Sequence, residues 1–137
     1  MQEIKRPRIN RLQSFRCAFA GIWHTLKTQR NAQIHVGIGA LIIGVGLILG
    51  LSLAEWAILA LTCGFVIATE MLNTATEYAM DLLTTENHPQ IKTVKDVAAG
   101  AVLVAAITAV VVGLLILGPR LIELVTLRLG LGPVSAP

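Results

Sequence analysis

Charge is the scarcest property of this chain. Asp, Glu, Lys and Arg together make up only 14% of its 137 residues, whereas an ordinary soluble domain carries about a quarter. Hydrophobic residues supply 55%, and the mean hydropathy is +0.74. The shortage of charge is concentrated, since residues 34–53 and 97–118 contain no charged side chain at all. These runs exclude an ordinary soluble fold and predict a single membrane-embedded domain.

Three further features are missing. The two cysteines, Cys17 and Cys63, are expected in different environments, at the cytoplasmic face and within the membrane, so no disulfide is predicted. Residues 1–33 lack the apolar core and cleavage site of a signal peptide, so the first span is expected to direct insertion. Neither a GxxxxGK(S/T) loop nor a kinase glycine-rich loop occurs, so side chains must hold any nucleotide.

What the chain does contain is three apolar blocks, and a helix needs about 20 apolar residues to cross the bilayer. The sequence predicts an all-α integral membrane fold with three transmembrane helices and an N-terminal amphipathic helix. The predicted spans cover residues 34–53, 55–85 and 95–118. His88-Pro89 is expected to break the second helix, and Gly118-Pro119 is expected to end the third.

Ahead of the first span, apolar residues recur at helical spacing: Leu12, Phe15, Phe19, Ile22, Trp23 and Leu26. This pattern predicts a helix over residues 11–29 that lies in the membrane interface. An ordinary helix packed on protein is the alternative. Residues 1–10 are predicted to form a basic mobile arm, residues 11–118 the membrane domain and residues 119–137 a C-terminal tail. Lys and Arg are concentrated before the first span, so the positive-inside rule predicts a cytoplasmic N-terminus.

One face of the second predicted span carries three acids and one amide: Glu70, Asn73, Glu77 and Asp81. At roughly 100° per residue, these four side chains fall within an arc of about 80°. Ionisable groups at membrane depth are costly, and they persist where they face a protein interior or a wet cavity. A solvated helix extension outside the bilayer is the plainer interpretation, and it suits Asp81 better than Glu70.

More polar residues follow the predicted helix break: Glu86, Asn87, His88, Lys92, Lys95 and Asp96. A cation and carboxylates at the membrane surface can hold a metal-bound polyphosphate, because phosphoryl transfer mainly requires charge neutralisation and positioning. The alternative for Lys95 is an ordinary positive anchor at the membrane surface.

Together these residues form a long, specific pattern. It reads Glu70-x-x-Asn73-Thr74-Ala75-x-Glu77-x-x-x-Asp81, then Glu86-x-His88-Pro89, then Lys95-Asp96-Val97-Ala98-Ala99-Gly100-Ala101-Val102. The pattern resembles the signature of the small prokaryotic diacylglycerol kinase family, and the likeness runs from about residue 11 to residue 118. Asn31, His35 and Pro89 look closer to the undecaprenol kinase branch of that family than to the diacylglycerol kinase branch.

The resemblance implies a homotrimer of three-span protomers in the prokaryotic inner (cytoplasmic) membrane. It implies an ATP-dependent lipid kinase that uses ATP as co-substrate and Mg²⁺ as cofactor. The implied acceptor is a membrane lipid alcohol, with undecaprenol favoured over diacylglycerol, and no nucleic acid is expected as a partner.

The resemblance also implies roles for individual residues. Glu70 would be the general base on the lipid hydroxyl, and Asn73 would position the substrate. The implied metal ligands are Glu77 and Gln29. The implied nucleotide contacts are Cys17, Gln29, Glu77, Glu86, Asn87, His88, Lys95 and Asp96.

Two positions depart from the family pattern, which usually has Glu at position 29 and Tyr at position 17. The Gln29 amide can ligate Mg²⁺ through its oxygen but adds no charge. A catalytically weakened family member that acts as a scaffold is therefore an alternative. An ion or proton pathway along the acidic face is a third interpretation.

Overall fold

The computed structural model describes residues 10–83, 86 and 88–130, which form helices and short connections without a strand. The four helices are α1 (Arg11–Thr28), α2 (Arg30–Leu49), α3 (Leu53–Leu83) and α4 (Pro89–Arg128). By length and composition, α2, α3 and α4 are each able to cross a membrane. The predicted all-α fold, with three spans and an N-terminal helix, is confirmed.

Local sequence chemistry explains where the helices begin and end. The helix α2 stops at Gly50, whose φ of 63° lies in the left-handed region that glycine adopts without steric cost. At the start of α3, Ser52 N donates to Glu55 Oε2 at 2.7 Å, and Glu55 N donates to Ser52 Oγ at 3.3 Å. This reciprocal arrangement is a capping box. At the start of α4, His88 Nδ1 accepts a hydrogen bond from Gln90 N, and Pro89 occupies the first helical position.

The interior of the described chain lies mainly between α3 and α4. Buried apolar side chains include Leu59 and Val66 on α3 and Val102 and Ala105 on α4. The helix α2 approaches α3 closely at Gly46, where an added Cβ would lie 2.7 Å from a ring carbon of Trp56. Most other large apolar side chains are exposed, as expected for a protein whose outer surface faces lipid rather than water.

One predicted boundary is wrong. The third predicted span was expected to end at Gly118-Pro119, but α4 continues through Pro119 to Arg128. An interior proline removes a backbone hydrogen bond and usually kinks or breaks a helix. Here the next residue, Arg120, makes two hydrogen bonds of 3.1 and 3.0 Å to the carboxylate of Glu55 on α3. This paired contact fastens the segment beyond the proline to the start of α3.

The remaining boundaries shift by a few residues. The helix α2 begins at Arg30 rather than residue 34, and α3 ends at Leu83, before the predicted break at His88-Pro89. Of the predicted basic arm, only Asn10 is among the described residues. The predicted tail is helical as far as Arg128, and residues 131–137 lie outside the described part of the chain.

Candidate functional site

Glu70, Asn73, Glu77 and Asp81 lie on one face of α3, which we call the acidic face. This face changes from buried to exposed along its length. Glu70 is only 2% exposed and Asn73 only 8%. Glu77 is half-buried, and Asp81 is exposed. The solvated-extension interpretation therefore fits Asp81 and fails for Glu70. Since buried polar groups require partners, the buried half of this face is where a bound molecule would be most strongly needed.

The buried half contains polar atoms without partners. Asn73 Nδ2 donates to Glu77 Oε1 at 3.2 Å, and the Thr74 hydroxyl donates to the backbone carbonyl of Glu70 at 2.9 Å. Within the described part of the chain, Glu70 Oε2 and Asn73 Oδ1 are both buried and accept no hydrogen bond. Both orphaned atoms are acceptors, one helical turn apart. A hydroxyl group carries one O–H donor, so a hydroxyl placed between the two side chains would supply the donor that one of these atoms lacks.

A second helix contributes to the surroundings of Glu70. His35 on α2 lies close enough to Glu70 to interact with it electrostatically, as does Glu77. His35 is half-buried. The sequence pattern included His35 without giving it a role, and the spacing from Asn31 to His35 was the only signal available. The structure therefore brings this imidazole within electrostatic range of the deepest acid.

The helix α4 contributes charge at the exposed end of the acidic face. Lys95 Nζ lies 2.5 Å from Asp81 Oδ1, and this ion pair joins α4 to α3. Lys92 and Asp96 form a second ion pair within α4. The structure therefore brings Lys95 to the acidic face, and it assigns Asp81 a contact that the sequence did not reveal.

The other predicted nucleotide contacts do not all lie at this end. Glu86 and His88 are exposed between α3 and α4, and Asn87 lies outside the described residues. Gln29 is half-buried at the junction of α1 and α2. Cys17 is exposed and lies about 18 Å along the helix axis from Gln29. The structure therefore does not place Cys17 and Gln29 side by side.

One contact joins α1 to the same part of α3. His24 Nε2 and the Tyr78 hydroxyl are hydrogen-bonded at 3.0 Å. Tyr78 directly follows Glu77, so this bond lies next to the acidic face. Sequence reasoning missed both residues, because nothing local relates two positions 54 residues apart.

The described residues supply only part of the ligand set that Mg²⁺ takes in proteins. Within residues 10–83, 86 and 88–130, no group of three or more His, Cys, Asp or Glu side chains could hold a metal ion. Nucleotide-bound Mg²⁺ usually takes one or two protein carboxylates and fills its other positions with phosphate oxygens and water. Glu77 offers a carboxylate and Gln29 a neutral amide oxygen. These residues fit a metal that arrives with ATP rather than a site built by protein alone.

Comparison with known proteins identifies the family. The model of the prokaryotic diacylglycerol kinase family matches residues 16–117. The chain belongs to that family. The match confirms the predicted resemblance and the expected ATP-dependent lipid kinase, a multi-pass membrane protein with a lipid and ATP as substrates.

Two curated relatives cover most of the chain. An undecaprenol kinase of Bacillus subtilis is 43% identical over 117 residues, which is 85% of this chain and 95% of the relative. A diacylglycerol kinase of Synechocystis is 45% identical over 116 residues, 84% of this chain and 66% of the relative. A diacylglycerol kinase of Helicobacter pylori is 40% identical over 53 residues, 39% of this chain and 41% of that relative. No solved structure matches the chain.

Proposed function

We propose that this lipid kinase transfers the γ-phosphate of Mg-ATP to undecaprenol and produces undecaprenyl phosphate. The observation that carries the proposal is the buried pair of orphaned acceptors, Glu70 Oε2 and Asn73 Oδ1. A membrane-dissolved alcohol carries one O–H donor, which satisfies Glu70 Oε2. Undecaprenol is favoured because the relative of that name matches over 95% of its own length.

Glu70 acts as the general base. The lipid hydroxyl donates a hydrogen bond to Glu70 Oε2, and Asn73 holds the hydroxyl oxygen in place by donating the Nδ2 hydrogen that Glu77 does not accept. As the hydroxyl oxygen attacks the γ-phosphorus, its proton passes to Glu70, a step in which a positioned base contributes roughly 10²–10⁴-fold. The new oxygen–phosphorus bond replaces the bond from the γ-phosphorus to the β,γ-bridging oxygen, and ADP leaves.

The exposed end of the acidic face holds the nucleotide. Glu77 and Gln29 would hold Mg²⁺, which neutralises phosphate charge when bound. Lys95 leaves Asp81 to contact the phosphates, and Asp96, Glu86, Asn87 and His88 complete the nucleotide contacts. Cys17, farther along α1, is assigned to the outer edge of the nucleotide.

The proposal extends to the assembly and its orientation. Residues 11–118 form the kinase domain, three copies associate as a homotrimer, and the protein resides in the inner membrane with a cytoplasmic N-terminus. Lys and Arg ahead of α2 support this orientation. With this orientation, Asp81 at the end of α3 and Lys95 at the start of α4 lie on the cytoplasmic side of the membrane, where ATP is available.

Diacylglycerol is the second candidate acceptor. The Synechocystis relative named diacylglycerol kinase is 45% identical to this chain. Diacylglycerol also carries a free hydroxyl, so the orphaned acceptors suit either lipid. The two candidates differ in the lipid body and not in the reaction.

The test is transfer of label from γ-labelled ATP to each lipid by purified protein in mixed micelles. We expect labelled undecaprenyl phosphate to form faster than labelled phosphatidic acid. Glu70→Gln serves as the inactive reference, and Glu123→Gln, at an exposed acid near the far end of α4, is the matched control. The proposed activity would be refuted if neither lipid were labelled faster by the unsubstituted protein than by Glu70→Gln.

A further inference from the structure

We propose that the His24–Tyr78 hydrogen bond positions the metal-binding end of the site by holding α1 at a fixed distance from the acidic face of α3. The inference rests on the proposed function, and it gives a role to two residues that have none in that proposal. Neither side chain touches a reacting atom, so both are positioning residues.

The helix α1 is attached to the rest of the chain mainly near its C-terminal end. Every residue from Arg11 to His24 is exposed, and the first buried residue is Thr25. Where few contacts hold an element, each one has a large share in fixing its position. The contact made by His24 lies at the point where the attached part of α1 begins.

The His24–Tyr78 pair joins one point on α1 to one point on α3. The imidazole and phenol rings are 5.6 Å apart between centroids and tilted by 58°, and His24 Nε2 lies 3.0 Å from the Tyr78 hydroxyl. Tyr78 is the immediate neighbour of Glu77. Gln29 follows His24 by five residues, about 7.5 Å along the helix axis. The bond therefore links the last turns of α1, just before Gln29, to the residue next to Glu77 on α3.

The spacing between Gln29 and Glu77 matters because Gln29 carries no charge. A carboxylate would attract Mg²⁺ over several ångströms, whereas a neutral amide oxygen contributes only when it is already in place. The backbone at Gln29 is extended, with φ −99° and ψ 114°, and α2 begins at the next residue. A shift of α1 would carry Gln29 away from Glu77, and the His24–Tyr78 bond resists that shift.

The experiment measures Mn²⁺ affinity by electron paramagnetic resonance in the presence of a non-hydrolysable ATP analogue, so that turnover is not needed. We expect Tyr78→Phe, which keeps the ring and removes the hydroxyl, to weaken Mn²⁺ binding about five-fold, the factor that an ordinary neutral hydrogen bond provides. His24→Leu should weaken it equally, and His24→Gln, which retains a side-chain amide, should restore most of the affinity. In turnover, the Mg²⁺ concentration for half-maximal rate should rise while the rate at saturating Mg²⁺ changes little.

Thr76→Val is the matched control, because it removes a neighbouring hydroxyl that bonds to the Leu72 carbonyl within α3. It should leave Mn²⁺ affinity unchanged. Equal Mn²⁺ affinity in Tyr78→Phe and the unsubstituted protein, or an equal loss in Thr76→Val, would overturn the positioning role while the kinase activity stood. Absence of Mn²⁺ binding by the unsubstituted protein would overturn the proposed metal site, and the positioning role with it.

Discussion

Two carboxylates on the same helix have opposite surroundings. Glu55, at the first turn of α3, accepts hydrogen bonds from the backbone of Ser52 and from two nitrogens of Arg120. Glu70, about 22 Å farther along the helix, is almost completely buried, and its Oε2 atom has no hydrogen-bond partner among the residues that the structure describes. Hydrogen bonds within the protein satisfy the Glu55 carboxylate, whereas Glu70 Oε2 lacks a donor among the described residues. An acid of the first kind stabilises a fold, whereas an acid of the second kind is available for a substrate.

The largest expected effect follows from substituting Glu70, the acid whose Oε2 atom lacks a donor. Glu70→Gln keeps the size of the side chain and removes its ability to accept a proton, so the rate of lipid phosphorylation should fall at least about 100-fold. The melting temperature in detergent should stay unchanged or rise, because a buried charge without a partner costs stability. A lower melting temperature together with a normal rate would make Glu70 a structural acid like Glu55.

A smaller effect is expected at Lys95, which pairs with a third acid of α3, Asp81. Asp81 is paired with Lys95, but the pair is partly exposed, so it contributes little to stability. Lys95→Gln should raise the KM for ATP about ten-fold or more, since a charge-assisted contact to phosphate is lost. Asp81→Asn is the matched variant and should change the KM much less. If both substitutions lowered only the melting temperature, Lys95 would belong with Arg120 as a structural cation.

The smallest effect on activity is expected from substituting Glu55, the acid whose carboxylate is hydrogen-bonded within the protein. Glu55→Gln weakens the contact that holds the segment after Pro119, so the melting temperature should fall by a few degrees. The rate of lipid phosphorylation, measured well below that temperature, should remain within about two-fold of normal. Arg120→Gln should act in the same way, and the double variant should add little, because both changes break one interaction. A large loss of rate in Glu55→Gln at low temperature would contradict the comparison.

The sequence predicted most of the fold, and the shared face of the acidic residues on α3, for identifiable reasons. Charge-free runs of about 20 residues are sufficient to locate spans. Helical periodicity is sufficient to place Glu70, Asn73 and Glu77 on one face. Both signals are local, so no knowledge of neighbouring helices was needed.

What the sequence missed depends on contacts between distant residues. The helix was expected to end at Gly118-Pro119 because proline disfavours helix continuation, but Arg120 contacts Glu55, 65 residues away. The His24–Tyr78 bond was missed for the same reason, because its two residues are 54 positions apart in the chain. The assigned roles of Gln29, Glu77 and the nucleotide contacts remain predictions.

The most direct test of the central claim compares the affinity of the protein for undecaprenol with its affinity for the methyl ether of undecaprenol. The ether has the same hydrocarbon chain but cannot donate a hydrogen bond. Because Glu70 Oε2 lacks a donor that the alcohol supplies, we predict that the alcohol binds about ten-fold tighter or more, and that Glu70→Leu abolishes this preference. Equal affinity of the unsubstituted protein for the alcohol and the ether would contradict the account.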